Sequence, residues 1–150
     1  MIFQRQDGGG NQLFDTTYAY DEYGRQQQVI DGRNGATTYA YNDDDTVSSV
    51  TSPVPGTGAS AQTTRYDYDD VARVWRTTLP DGTVSTNLFY DTGELMVTQG
   101  SQTYPVGYGY DAQGRMTSMT TWTSFRSAGE RITSWTYGNQ RVFRKQGVSG

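Results

Sequence analysis

The chain has 150 residues, no Cys, no His and a formal net charge of −4. Disulfides, zinc and haem ligation through Cys or His, Ser-His-Asp triads and Cys nucleophiles are therefore excluded. The acidic balance, with no basic cluster, speaks against nucleic acid, because neutralising phosphates requires Lys and Arg gathered on one face. Thr, Tyr and Val dominate while Lys occurs once, so strand formers prevail and an all-β chain is expected. With 12 Tyr, 5 Phe and 3 Trp, rings supply the apolar area that aliphatic residues lack. The core is expected to be built largely of tyrosine.

No stretch approaches the about 20 apolar residues of a membrane span, and residues 1–5 do not open a signal peptide. Residues 1–15 read as a lead-in, and Gly8-Gly9-Gly10-Asn11 lacks the Lys and Ser or Thr of a phosphate loop. From there one phrase recurs: Tyr18-Ala19-Tyr20-Asp21, Tyr39-Ala40-Tyr41-Asn42, Tyr66-Asp67-Tyr68-Asp69 and Tyr108-Gly109-Tyr110-Asp111. Leu88-Phe89-Tyr90-Asp91 and Trp135-Thr136-Tyr137-Gly138 are degenerate copies. Taking the second aromatic as marker, Tyr20, Tyr41, Tyr68, Tyr90, Tyr110 and Tyr137 define six units over residues 16–147, followed by a tail at 148–150. Repetition at this period is the signature of an architecture built unit by unit.

Each unit reads as a β-hairpin. The Tyr-x-Tyr spacing places both rings on one face of a strand. A turn follows in Asp21 to Gly24-Arg25 and in Asp111 to Gly114-Arg115. Asp accepts backbone N–H bonds at the start of the turn, and Gly supplies a positive φ three residues on. The returning strand carries Val47, Val74, Met96, Met116 and Phe143. Arg25, Arg73 and Arg115 recur four residues after Asp21, Asp69 and Asp111, so they form a ladder that fixes hairpin geometry rather than adding much stability. The markers are expected largely buried, so that Tyr68→Ala costs about 3–5 kcal/mol. Unpaired edges near residues 16–20 and 142–146 offer a route to self-association, unless residues 1–15 fold back over the first.

The phrases Tyr20-Asp21-Glu22-Tyr23-Gly24-Arg25 and Tyr110-Asp111-Ala112-Gln113-Gly114-Arg115-Met116 resemble the YD repeat of the Rhs family. That family is shared by bacterial polymorphic toxins, the C components of insecticidal toxin complexes, and teneurins. Departures occur at Asp45-Thr46, at Ala72-Arg73, at Asp91-Thr92-Gly93-Glu94, where the unit is one residue short, and at Gly138 to Arg141. The resemblance implies a sheet that curves or spirals into a hollow shell. It implies a structural module, secreted or at the cell surface, that encloses or presents a separate effector or toxin domain. Its partners would be that domain and further repeats of the same longer protein, which the ending at residues 147–150 also suggests. No motif of the family's self-cleaving region is present, so neither enzymatic activity nor a cofactor is carried over.

Residues 51–62 and 123–130 are rich in turn formers and account for the two longer intervals. They read as rim loops, and a tolerated insertion explains them with fewer assumptions than a contact site. Asn42-Asp43-Asp44-Asp45 lacks the spacing of a calcium loop and reads as an acidic turn. Asp67, Asp69 and Asp70 flank a marker and read as turn residues rather than a catalytic carboxylate pair. The alternative function is a surface adhesin or carbohydrate-binding module whose aromatic face, with Trp75, Trp122 and Trp135, stacks on sugars.

Overall fold

In the computed structural model the described residues are 2–6, 8, 9, 12–56, 58–124, 129–138 and 141–146. Those at 2–6, 12–14 and 141–146 are described by backbone alone, and the tail at 148–150 lies outside the described residues. They form an all-β, antiparallel structure of thirteen strands with no helix among them. The strands are β1 (Ile2–Gln6), β2 (Gln12–Tyr20), β3 (Gln26–Asp31), β4 (Gly35–Tyr41), β5 (Val47–Ser52), β6 (Gln62–Tyr68) and β7 (Val74–Thr78). There follow β8 (Val84–Phe89), β9 (Leu95–Gly100), β10 (Thr103–Tyr110), β11 (Met116–Thr121), β12 (Arg131–Gly138) and β13 (Arg141–Gln146).

The chain divides into two compact units. The first holds Met1–Ala72 and Thr78–Gly82, the second Arg73–Thr77 and Thr83–Gly150. In the first, β1 to β6 lie side by side in sequence order; in the second, β7 to β13 do the same. Such a meander arises because short turns join consecutive strands and each strand finds its partner in the next segment of chain. β1 pairs with β2 from Ile2 on Thr17 to Gln6 on Gln12, so of the edge at residues 16–20 it covers Thr16 and Thr17. The lead-in is itself a hairpin arm.

Directly paired residues share a face. In the first unit one face carries Tyr18, Val29 and Thr37, then Tyr39, Val50 and Thr64. The opposite face carries Ala19, Gln28, Thr38, Thr51 and Thr63, which are small or polar. Thr51 and Thr63 share a 2.8 Å hydroxyl hydrogen bond there. Ring against β-branched neighbour, and hydroxyl against hydroxyl, are the cross-strand pairs that stabilise sheets, each by about 0.2–1 kcal/mol.

A tyrosine core does not form. Among the described residues Val97, at 3% exposure, is the one buried apolar side chain. Tyr20 is 52% exposed and Tyr90 is 37% exposed, while Tyr41, Tyr68, Tyr110 and Tyr137 are half-buried. Among the described residues of each unit no second layer presses against either face of the meander. A ring on it is covered only by its neighbours along the sheet.

Candidate functional site

The recurring motif builds one local structure, repeated at the strand ends. The register of β2 on β3 shifts between Ala19 and Tyr20, and Tyr20 then faces Gln26. The same shift falls between Ala40 and Tyr41 and between Gly109 and Tyr110. A shift of this kind is a β-bulge, which adds a residue and turns the strand end. Beyond it, Asp21 N–H donates to Arg25 O at 2.9 Å and Gly24 N–H to Asp21 O at 3.0 Å. Asp21 Oδ1 accepts the N–H groups of Tyr23 and Arg25 at 3.0 and 2.9 Å, and its Oδ2 accepts Arg25 Nε–H at 2.7 Å. Asp111, Gln113 and Arg115 repeat that set, with 3.0, 2.9 and 2.7 Å.

The turn demands a left-handed residue four positions after the marker. Gly24 and Gly114 adopt φ of 80° and 74°, and Asp45 and Ala72 adopt 65° and 61° without being glycine. At both of these the backbone bond that closes the turn survives, Asp45 N–H to Asn42 O and Ala72 N–H to Asp69 O. The altered sequences keep the turn and carry the strain. The acidic residues here are turn caps: Asp44 Oδ1 accepts Thr46 N–H at 3.1 Å, and Asp69 Oδ1 accepts Val71 N–H at 3.1 Å.

The fourth hairpin shows which residue the marker is. Its register shift lies between Leu88 and Phe89, and Phe89 faces Leu95. Tyr90 N–H donates to Glu94 O and Gly93 N–H to Tyr90 O, each at 2.9 Å, and Gly93 has the positive φ, 105°. Phe89 therefore stands where Tyr20 stands, Tyr90 in the place of Asp21, and Glu94 in the place of Arg25. Asp91 sits exposed within the turn. The unit is not a residue short. With Phe89 as marker the intervals become 21, 27, 21, 21 and 27 residues, and that regularity was the available signal.

Two further kinds of contact tie turns and markers to neighbouring hairpins, the first from the three turns that carry an arginine. The Arg25 guanidinium lies 4.5 Å from the centre of the Tyr41 ring, and its Nη1 donates to Asn42 O at 3.4 Å and to Asp45 Oδ1 at 2.6 Å. Arg73 lies 4.4 Å from the Phe89 ring and donates to Tyr90 O at 3.5 Å, and Arg115 lies 4.7 Å from the Tyr137 ring. In the opposite direction, Tyr41 Oη–H donates to Gln26 O at 2.7 Å, Tyr68 to Val47 O at 2.9 Å, and Tyr137 to Met116 O at 2.5 Å. Each acceptor is the first residue of the previous returning strand. Where Phe89 has no hydroxyl, Asn87 Nδ2 donates to the equivalent carbonyl, Val74 O, at 3.3 Å. Tyr90 instead reaches forward, with its hydroxyl on Tyr108 O at 2.9 Å and its ring edge-on to Tyr110 at 6.2 Å.

Electrostatically the turn favours the ionised carboxylate. Partial desolvation pushes Asp21 up, but hydrogen bonds from the Arg25 side chain, the Arg25 and Tyr23 N–H groups and the nearby guanidinium together hold it below the usual carboxylate value. Asp111 behaves alike, with Arg115 and Gln113 in those roles. The arrangement joins, positions and repeats.

The fold is similar to that of solved structures. A crystal structure of TcdB2-TccC3-Cdc42 superposes with a TM-score of 0.69 at 15% identity, covering 83% of this chain and 6% of that one. TcdB2-TccC3-TEV gives 0.46 at 10% identity, with 91% and 10% of the chains covered. The Photorhabdus luminescens Tc holotoxin pore with a TccC3 mutation gives 0.40 at 11%, with 96% and 12% covered. The first shows a shared fold. The chain spans about a sixteenth of that relative's length. No family model matches the sequence, and no curated protein does.

Proposed function

We propose that this chain is a section of an Rhs/YD-repeat shell, a structural module that encloses or presents a separate effector or toxin domain. The observation that carries the reading is the recurring latch, in which the arginine of one turn lies on the marker ring of the next hairpin at Arg25–Tyr41, Arg73–Phe89 and Arg115–Tyr137. A contact that alternate units, the first, third and fifth, make to their successors lets a sheet grow by repetition, as in other repeat architectures. The shared fold with the TcdB2-TccC3-Cdc42 structure and the Y-D-x-x-G-R phrases support it. On this reading the partners are further repeats and an enclosed domain of the same polypeptide. The role is structural rather than enzymatic, and the protein is secreted or at the cell surface.

Electron microscopy of the full-length natural protein tests this. A hollow particle whose wall contains this segment, with an enclosed domain protected from protease until the wall is opened, is the expected result. A solid or extended particle with no lumen overturns the proposal.

A further inference from the structure

On the second unit, at the strand ends away from the Asp–Arg turns, lies an open groove of about 680 Å³. That size falls within the about 300–1,000 Å³ of small-molecule sites. An irregularity in the β9–β10 ladder produces it. Thr103 faces Gly100 and Val106 faces Thr98, so Tyr104 and Pro105 together oppose the single residue Gln99. Pro105 has no N–H to give the ladder and so belongs at such a bulge, and a bulge re-aims the side chains beside it. Tyr104 is left 70% exposed.

The floor is held by backbone approach at Gly100. A Cβ added there would lie 2.9 Å from Val84 O, closer than real Cβ atoms come, so glycine is what permits this approach. Ser101 closes the end, its Oγ accepting Val84 N–H at 3.0 Å. Trp122 N–H donates to Pro105 O at 3.2 Å and draws the start of the next loop along the opposite bank.

The lining chemistry narrows the ligand. Among the described residues no Asp, Glu, Lys or Arg lines the groove, so a phosphate, a carboxylate or an ammonium finds no compensating charge among them. Gln99 and Gln102 offer carboxamides, each able to donate and accept at adjacent positions, while the Thr86 and Ser101 hydroxyls donate to Gln99 O and Val84 O and keep acceptor capacity. Tyr104 and Pro105 add an aromatic ring and a flat apolar edge. Vicinal hydroxyls both donate and accept, and the slightly positive C–H hydrogens of a pyranose lie well against the negative face of a ring.

We infer that this groove binds a neutral oligosaccharide, stacked on Tyr104 and hydrogen-bonded by Gln99 and Gln102. This site is separate from the aromatic face of the sheet and from the turn latches, and it stands or falls independently of the shell reading.

The test is an array of neutral and sialylated oligosaccharides probed with the whole chain, followed by solution titration of the strongest neutral binder. Tyr104→Ala and Gln102→Leu are compared with wild type, with circular dichroism confirming that each is folded. Wild type should retain neutral glycans, and each variant should lose at least about tenfold in affinity. Should Tyr104→Ala fail to fold, Gln102→Leu, in an exposed turn, decides alone. No binding by wild type, preference for sialylated over neutral glycans, or binding unchanged in the folded variants overturns the inference.

Discussion

The first and fifth hairpins (β2–β3 and β10–β11) and the fourth (β8–β9) fold alike from different residues. In the former, Tyr-Asp-x-x-Gly-Arg places an aromatic at the bulge, a capping carboxylate next, and an arginine at the exit. In the latter, Phe89, Tyr90 and Glu94 hold those three places, and the polarity of the two faces is exchanged as a result. Asn87 and Thr98 take the face that in β10 and β11 carries Tyr108 and Met119, while Leu88, 41% exposed, and Val97 take the other. The difference teaches that the backbone plan, a bulge followed by a left-handed residue, is what the repeat specifies. The side chains that surround it are exchangeable if their contacts are replaced.

That exchange has its largest consequence at Gly107, which faces Val97 across the β9–β10 ladder. The Trp122 ring lies against this face at Gly107, where an added Cβ would sit 2.8 Å from its Cη2 and 3.1 Å from its Cζ3. Gly107→Val is expected to cost about 2–3 kcal/mol through overpacking, read as a lowered midpoint in urea. At Gly56 a Cβ meets nothing within 4 Å, so Gly56→Ala should leave the midpoint almost unchanged. Equal losses at the two positions would dissolve the distinction.

The markers come next. Because Tyr68 is half-buried and its hydroxyl bonds Val47 O, Tyr68→Ala should cost about 2 kcal/mol, less than full burial would give. Tyr20, more exposed, should lose under about 1 kcal/mol on the same truncation. Reversal of that order would mean that position in the sheet, not cover, sets the value of a ring.

Acid distinguishes the hairpins with an aspartate cap from the fourth, where Tyr90 stands in its place. Asp21 and Asp111 are held below their ordinary value of 3.8. A carboxyl whose folded value is depressed contributes stability that is full above the unfolded value and is lost as pH falls through the folded one. Denaturation midpoints should therefore fall as pH drops below about 4, and Asp21→Asn should flatten that limb. An unchanged limb would show that the Asp21–Arg25 bond is indifferent to charge.

Much of this was legible in the sequence. The all-β class, the hairpin repeat, the Asp cap with its Arg partner and the glycine of the turn follow from local chemistry, since each depends on residues within four positions of one another. The latch was not legible, because Arg25 to Tyr41 and Tyr68 to Val47 join residues 16 and 21 apart through a register that only the folded sheet defines. The fourth marker was misplaced because Tyr90 matched the residue type while Phe89 matched the interval. Burial was overestimated for a different reason: Tyr-x-Tyr says that two rings share a face, but not that anything lies against it. The exit from β9 into β10 gave a signal in Pro105, a strand residue without an N–H, whose bulge shapes the groove.

The smallest expected effect is also the sharpest test of equivalence between hairpins. Tyr41 and Tyr68 donate their hydroxyls to the first carbonyl of the preceding returning strand, and Asn87 does so for Val74 O in place of Phe89. Tyr41→Phe should therefore cost about 1 kcal/mol, the net worth of one such bond. Asn87→Ala should cost a similar amount or slightly less, given its longer 3.3 Å contact. Installing the missing hydroxyl by Phe89→Tyr should be nearly neutral alone, because Val74 O already has a donor. In the Phe89→Tyr background, however, Asn87→Ala should cost close to nothing, since the new hydroxyl takes over the carbonyl. The coupling energy of that double-mutant cycle should approach the single-mutant loss. Purely additive effects would mean that the two donors do not share an acceptor, and that Phe89 does not hold the place of the marker tyrosine.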